Sequence, residues 1–255
     1  MKSKKEIIML SRKRLLKNKP LIIGGPCSVA SREQILRIAK EVKKAGAHAI
    51  RAQLWKPRTK PDSFQGVGKK GIPWIKELKE KTGLPVVMEM VAPDQIGIVE
   101  DVADILWVGA RNMQNYELLK RMKDDPRPVI LKRGLIATVK EWLGAAEYIG
   151  KDKVILCERG IRTGADAMRF TLDLNAMLVV KHDHKMPVIV DPSHTAGRRD
   201  MVPHLALSAI AAGADGLVVE THYNPEEELV DKDQTITSQV FKELVKKCQN
   251  YELIV

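Results

Sequence analysis

Short apolar runs alternate with stretches of helical spacing along the chain, in a unit of about thirty residues that recurs without close sequence repetition. The runs fall at 20–26, 47–53, 85–90, 104–109, 128–132, 153–157, 187–191 and 215–220. They are apolar throughout rather than alternating, as expected of strands buried on both faces of a parallel sheet. Between them the spacing predicts helices over 31–45, 72–82, 93–102, 114–122, 138–149, 165–180, 200–212 and 237–248. The first carries Ile35, Ile38, Ala39 and Val42 as its apolar stripe and opens with Ser31 and Gln34 as a capping box. A second box, Thr138 with Glu141, opens the helix over 138–149. Eight such strands and helices predict an α/β fold, a single (β/α)8 TIM barrel over 20–255 with a short N-terminal extension, 1–19. An open doubly wound sheet is the competing architecture, but no glycine fingerprint opens the first helix.

In a closed barrel of this kind the carboxyl ends of all strands meet on one rim, where such folds do their chemistry. The apolar runs end in residues suited to it. IIGGPC ends at Cys27, HAIR at Arg51, ILWVGAR at Arg111, VILK at Lys132, VILCER at Arg159, VIVDPSH at His194 and GLVVE at Glu220. Closure would bring four cationic side chains, a thiol, an imidazole and a carboxylate to one pocket. Basic side chains at the ends of apolar strands are costly to bury unless an anion meets them, so the pocket is expected to bind a substrate, or two, carrying several negative charges.

Cys27, His194 and Glu220, joined by an aspartate from the loop after the last strand, would make a mixed sulfur, nitrogen and oxygen set. That set suits one divalent ion of the Mn, Fe, Co or Zn type better than Mg or Ca, which prefer all-oxygen shells. From the residues alone the aspartate is either Asp231 or Asp233, and His222 is a further candidate to face the pocket. The segment 55–66, WKPRTKPDSFQG, is too long and too rich in Pro and Gly for a simple connector. Its Lys56, Arg58 and Thr59 supply a point charge, a planar fork and a hydroxyl, a set that grips phosphate.

The formal charge of +11 admits polyanions or small anionic substrates as partners. Aromatics are only 4% of residues and are not interleaved with the basic ones as stacking platforms would be, which favours small anions over nucleic acid. No run approaches the roughly 18 apolar residues a membrane span needs. The basic N-terminus lacks the apolar core of a secretory signal, so a cytoplasmic location is expected. Cys27, Cys157 and Cys248 are widely spaced and are expected to form no disulfide, with Cys157 and Cys248 simply packed in the core.

GGPCSV, KPRT followed by SFQG, GARNMQN, ILKRG, CERGIRT, DPSHTAGRR and VVETH occur in order across about residues 20 to 245. In this the chain resembles the 3-deoxy-D-arabino-heptulosonate 7-phosphate (DAHP) synthases of the short, metal-dependent form. The resemblance implies condensation of phosphoenolpyruvate with erythrose 4-phosphate at the entry to chorismate and the aromatic amino acids. It implies metal ligands Cys27, His194, Glu220 and Asp231, and a phosphoenolpyruvate site of Arg51, Arg111, Lys132 and Arg159 with Arg162 nearby. Erythrose 4-phosphate would lie on Lys56, Pro57, Arg58 and Thr59, and Lys56, Cys27 and His194 would be the catalytic residues. A homodimer or homotetramer is implied as well.

Gly24, Ala30, the stretch AQLW at 52–55, Lys60 and Asp62 depart from the family pattern, mostly toward the sugar phosphate end. The sister activity, 3-deoxy-D-manno-octulosonate 8-phosphate (KDO8P) synthase with arabinose 5-phosphate, is the alternative, and KPRT and GARNMQN argue against it. A basic RNA-binding barrel without catalysis is the non-enzyme alternative. With about nineteen residues before the first strand, feedback inhibition by aromatic amino acids is not expected.

Overall fold

The computed structural model describes residues 11–17 and 20–251. Strands β1 (Leu21–Gly25), β2 (Ala49–Arg51), β3 (Val86–Met90), β4 (Ile105–Val108), β5 (Val129–Lys132), β6 (Val154–Glu158), β7 (Val188–Val190) and β8 (Gly216–His222) pair in sequence order, all parallel. The ring closes where β1 pairs with β8, from Leu21 opposite Gly216 to Gly25 opposite Glu220. This is the expected (β/α)8 barrel. No helix among the described residues is long and apolar enough to cross a membrane. Cys27, Cys157 and Cys248 are free and buried, as the sequence leads one to expect.

Around the barrel run α1 (Arg12–Leu15), α2 (Arg32–Lys44), α3 (Ile72–Thr82), α4 (Gln95–Ile98), α5 (Tyr116–Lys123), α6 (Val139–Ile149), α7 (Leu174–His184), α8 (Pro192–Ala196), α9 (Val202–Ala211) and α10 (Ser238–Gln249). The capping box of α6 forms as expected. At α2 the Ser31 hydroxyl accepts from Gln34 N, while the Gln34 side chain reaches one residue further back, to Ala30 N. Two expected helices are shorter. The one over 93–102 is reduced to α4, because the Gln95 amide oxygen accepts from Val91 N and Ala92 N and Gly97 weakens the helix interior.

The helix expected over 165–180 begins only at Leu174, where Asp173 caps Ala176 N. The stretch before it is pinned in irregular form. Ile161 and Thr171 exchange both backbone hydrogen bonds, and Phe170 N donates to Thr195 O. Three of these elements were not anticipated: α1, the single turn of α8, and a short β9 (Ile236–Thr237) that pairs with Thr221 and His222 of β8.

Each strand sends alternate side chains to opposite faces. Ile22, Ile50, Met88, Leu106 and Leu131 face the helices in one apolar layer. Leu21, Ile23, Ala49, Val87, Ile105, Trp107, Ile130, Ile155, Cys157, Ile189 and Val218 fill the barrel interior. Leu15 of α1 joins this interior cluster, and the Arg12 guanidinium donates to Val154 O at the start of β6 at 3.1 Å. The part of the expected extension that is described therefore closes the amino-terminal mouth, while 1–10 and 18–19 lie outside the described residues. Leu15→Ala is expected to cost about 3 kcal/mol of unfolding free energy, by lost burial and the cavity left under the barrel. Chemical denaturation of the two proteins measures it, and a change below about 1 kcal/mol would contradict α1 as a plug.

Candidate active site at the carboxyl rim

The inward register that packs the barrel continues upward into polar residues. From Ala49 it leads to Arg51, from Val87 to Glu89, from Ile130 to Lys132, from Cys157 to Arg159, from Ile189 to Asp191 and from Val218 to Glu220. Trp107 forms the top apolar layer. Lys132 Nζ lies 4.3 Å, and Arg51 Cζ 5.0 Å, from its ring centroid. The neighbouring residues of opposite register serve packing instead. Arg133 points outward, pairs with Glu158 at 3.0 Å and Asp173 at 2.8 Å, and donates to Ala137 O.

At the pocket floor, one ligand atom from each of Cys27, His194, Glu220 and Asp231 lies within 4.8 Å of every other. Cys27 Sγ is 3.3 Å from Asp231 Oδ2. His194 Nε2 is 3.6 Å from Glu220 Oε1 and 3.8 Å from Asp231 Oδ2. Four lone-pair-bearing groups thus face one small space. The set is able to hold a metal ion, and two further observations fit that use. Glu220 Oε1 is buried and 2.9 Å from Arg51 Nη2, yet the guanidinium is out of line for a hydrogen bond and the oxygen receives none. His194 Nδ1 is occupied by Asp191 Oδ2 at 2.8 Å, which assigns the ring proton to Nδ1 and leaves Nε2 as the free lone pair.

The electrostatics follow from burial. His194 is pushed down to about 4, chiefly by burial, which outweighs the pull of Asp191 and Glu220 and keeps the imidazole neutral. Burial also drives the Cys27 thiol well above its usual range, with Glu220 adding to the effect. Asp231 falls to about 2: burial opposes its charge, but His194, Lys56 and Arg169 outweigh it. Asp191 is likewise held well below the ordinary carboxylate range, since His194 and Lys132 together overcome its burial. Lys56 is raised despite burial, by Cys27 and Glu220; with the thiol itself pushed up, Glu220 is the anion that keeps the ammonium charged.

Above this floor opens a pocket of about 540 Å³. Every cation singled out from the sequence lines it: Arg51, Lys56, Arg58, Arg111, Lys132, Arg159 and Arg162, with Pro57 and Thr59 at the side. Arg51 Nε and Nη1 and Arg159 Nε are buried donors without a hydrogen-bond acceptor among the described residues. Arg159 is lowered to about 10 by burial, the signature of a guanidinium not compensated by a close carboxylate. A second anion-facing group is therefore built in beside the paired Lys132. Asp233 is exposed and away from the cluster, and His222 Nδ1 is taken by Asn224 N, so neither belongs to the ligand set.

Residues 14–255 match the DAHP synthetase I family. The chain belongs to that family. A phospho-2-dehydro-3-deoxyheptonate aldolase of Thermotoga maritima is 45% identical over 229 residues, covering 89% of this chain and 68% of its own length. The crystal structure of the Thermotoga DAHP synthase superposes with a TM-score of 0.84 at 44% identity, over 89% of this chain and 67% of that one. A 2-dehydro-3-deoxyphosphooctonate aldolase of Desulfotalea psychrophila is 31% identical, over 89% of this chain and 88% of its own.

The pocket is also lined by residues that strand-end spacing passes over, Glu89, Trp107, Arg169 and Phe170, and Asp191 lies buried beneath it against His194. Glu89, Trp107 and Asp191 share the inward register with Arg51 and Lys132, so a period-two reading of each run would have found them. Arg169 and Phe170 carry no such signal, because they sit in the stretch that reads as helix. Asp191 bridges Lys132 and His194 by close contacts to one oxygen. Asp191→Asn is expected to cost about 3 kcal/mol, because it leaves the buried Lys132 charge unpaired. The double change with Lys132→Met should recover most of that loss in unfolding experiments, and equal instability of both variants would refute the pairing argument.

Proposed function

We propose that this chain is a DAHP synthase that condenses phosphoenolpyruvate with erythrose 4-phosphate and water to give DAHP and phosphate, the first committed step toward chorismate. The observation that carries this is the juxtaposition of a four-donor cluster with buried, uncompensated guanidinium donors in one pocket. A metal site alone or a phosphate site alone would suit many reactions. An aldehyde to be polarised and two anions to be held together call for both. The distant likeness to the phosphooctonate aldolases, at 31% identity against 45%, favours the four-carbon aldose over arabinose 5-phosphate.

Cys27, His194, Glu220 and Asp231 would hold one divalent ion of the Mn, Fe, Co or Zn type, which when bound supplies Lewis-acid polarisation of the aldehyde carbonyl. Arg51, Lys132, Arg159 and Arg111 take the carboxylate and phosphate of phosphoenolpyruvate, and Arg162 neutralises the remaining charge. Arg58 and Thr59 take the sugar phosphate and Lys56 meets the aldehyde end, fixing the aldehyde carbon over the vinyl carbon. That carbon attacks, and the Lys56 ammonium, kept charged by Glu220, donates a proton as the aldehyde oxygen becomes a hydroxyl. Water adds at the cationic C2 and gives one proton back to Lys56; the new C2 hydroxyl then gives its proton to the departing phosphate as the C–O bond breaks and C2 becomes the ketone. A homodimer or homotetramer in the cytoplasm, without nucleic-acid or membrane partners, completes the proposal; three free buried thiols support the reducing compartment.

The test is phosphoenolpyruvate consumption with each aldose, with and without a chelator. Erythrose 4-phosphate should be turned over faster, and chelation should abolish activity until a divalent metal is restored. Faster turnover of arabinose 5-phosphate would overturn the aldose assignment. Arg111 is exposed at the rim, so Arg111→Ala should leave the melting temperature unchanged. Its kcat/KM for phosphoenolpyruvate should fall on the order of 10- to 100-fold, the value of a hydrogen bond to a charged group. Unaltered kinetics would remove Arg111 from the site.

A further inference from the structure

The loop that leaves β8 carries Asp231 and returns as β9, and the pairing of Ile236 with Thr221 brings Gln234, two residues earlier, beneath the end of β8. Gln234 is only 1% exposed. Its Nε2 donates to Glu220 Oε2 at 2.6 Å, and its Oε1 accepts from Arg169 Nη1 at 2.9 Å. Arg169 Nη1 is in turn 3.7 Å from Asp231 Oδ1, and Arg169 lines the substrate pocket. Asp231 itself sits in the left-handed region, at φ 56°, unusual for a residue with a side chain. Its carbonyl accepts from Gln234 N and from Thr235 Oγ1, both at 3.2 Å, which holds that conformation.

A glutamate has a soft terminal torsion and two equivalent oxygens, so its position in a strand does not by itself decide which oxygen faces the ligand cluster. Here one amide decides it. With Oε2 engaged by Gln234, Oε1 is the oxygen left toward His194 Nε2. We propose that Gln234 is a positioning residue for the metal centre: its amide fixes the Glu220 carboxylate for ligation and ties that carboxylate, through Arg169, to Asp231 and the pocket wall. The Gln234 side chain thus joins Glu220 directly to a pocket-lining cation, which itself stands 3.7 Å from Asp231. Partners that orient ligating carboxylates commonly matter for metal affinity by about 10- to 100-fold.

The inference rests on the metal centre proposed above, and the experiment separates the two. Zn2+ is titrated, in competition with a chromophoric chelator, into metal-free wild type, Gln234→Met, Arg169→Met and Cys27→Ala. Failure of folded wild type to bind, or binding by Cys27→Ala equal to wild type, would sink the metal centre itself. Given wild-type binding, Gln234→Met should bind Zn2+ about 10- to 100-fold more weakly and Arg169→Met less so, because the latter keeps the bond to Glu220. In the same variant, raising the metal concentration should restore kcat toward wild type, a rescue that a purely structural defect would not show. Affinity of Gln234→Met within about threefold of wild type, or an Arg169→Met loss as large as that of Gln234→Met, overturns the assignment. If Gln234→Met does not fold, Gln234→Asn, one methylene shorter and so out of reach of Glu220, takes its place with the same expected loss.

Discussion

The pairing of β1 with β8 is the contact on which the rest depends. Its register, Ile23 opposite Val218 and Gly25 opposite Glu220, converts a row of strands into a ring and fixes which residues point inward at every position around it. It also sets the end of β1 beside the end of β8, so that Cys27 and Glu220 belong to one cluster although 193 positions separate them in the sequence numbering. Gly216 shows how close the approach is: a Cβ there would meet Leu21 O at 2.1 Å, so the closing strand must begin without a side chain. A slip of one residue would exchange the inward and outward sets and send the chemistry into the helix layer.

Charge is sorted by the same register. Lys132 and Arg133 are neighbours in sequence, yet one meets Asp191 and His194 at the pocket and the other meets Glu158 and Asp173 under the helices. Arg133 is neutralised from two sides and serves the fold. Arg51, although its Nη2 lies 2.9 Å from Glu220, and Arg159 retain buried donors with no acceptor among the described residues, which is destabilising unless an anionic ligand arrives. The cost of that arrangement is carried by the apolar layers beneath, where Ile130, Ile155 and Ile189 fill the barrel without polar atoms in their side chains. Rigidity below and unmet charge above is the combination a pocket for two phosphorylated reactants requires.

The four-donor cluster is backed by an outer layer of hydrogen-bonding side chains. Asp191 sets the His194 tautomer, and Gln234 occupies the second oxygen of Glu220. Asp191 is legible in the inward register of its run, whereas Gln234 has no such signal at its own position in the sequence. Gln234 lies in a polar loop stretch, KDQT, that reads as solvated, and it becomes buried only because β9 folds the loop back along β8. Arg169 and Phe170 were hidden for a related reason. Their segment has helix-forming composition but is held irregular by long-range bonds to Ile161 and Thr195, and tertiary contact overrides local propensity there.

The sequence by itself determined the class of fold, because unbroken apolar runs alternating with amphipathic stretches can bury both faces of a sheet in few ways. It also determined the chemical kinds at the rim, since Cys27, Arg51, Lys132, Arg159, His194 and Glu220 each end such a run. Between Asp231 and Asp233 the residues alone were silent and the family resemblance implied Asp231; in the folded loop the left-handed turn at Asp231 brings it to 3.3 Å from Cys27 Sγ, while Asp233 is exposed. The tertiary structure likewise decided which oxygen of Glu220 faces the cluster, which nitrogen of His194 carries the proton and which guanidinium donors are left without an acceptor among the described residues. Those properties reside in distances between remote segments, and local spacing carries no information about such distances until the ring is closed.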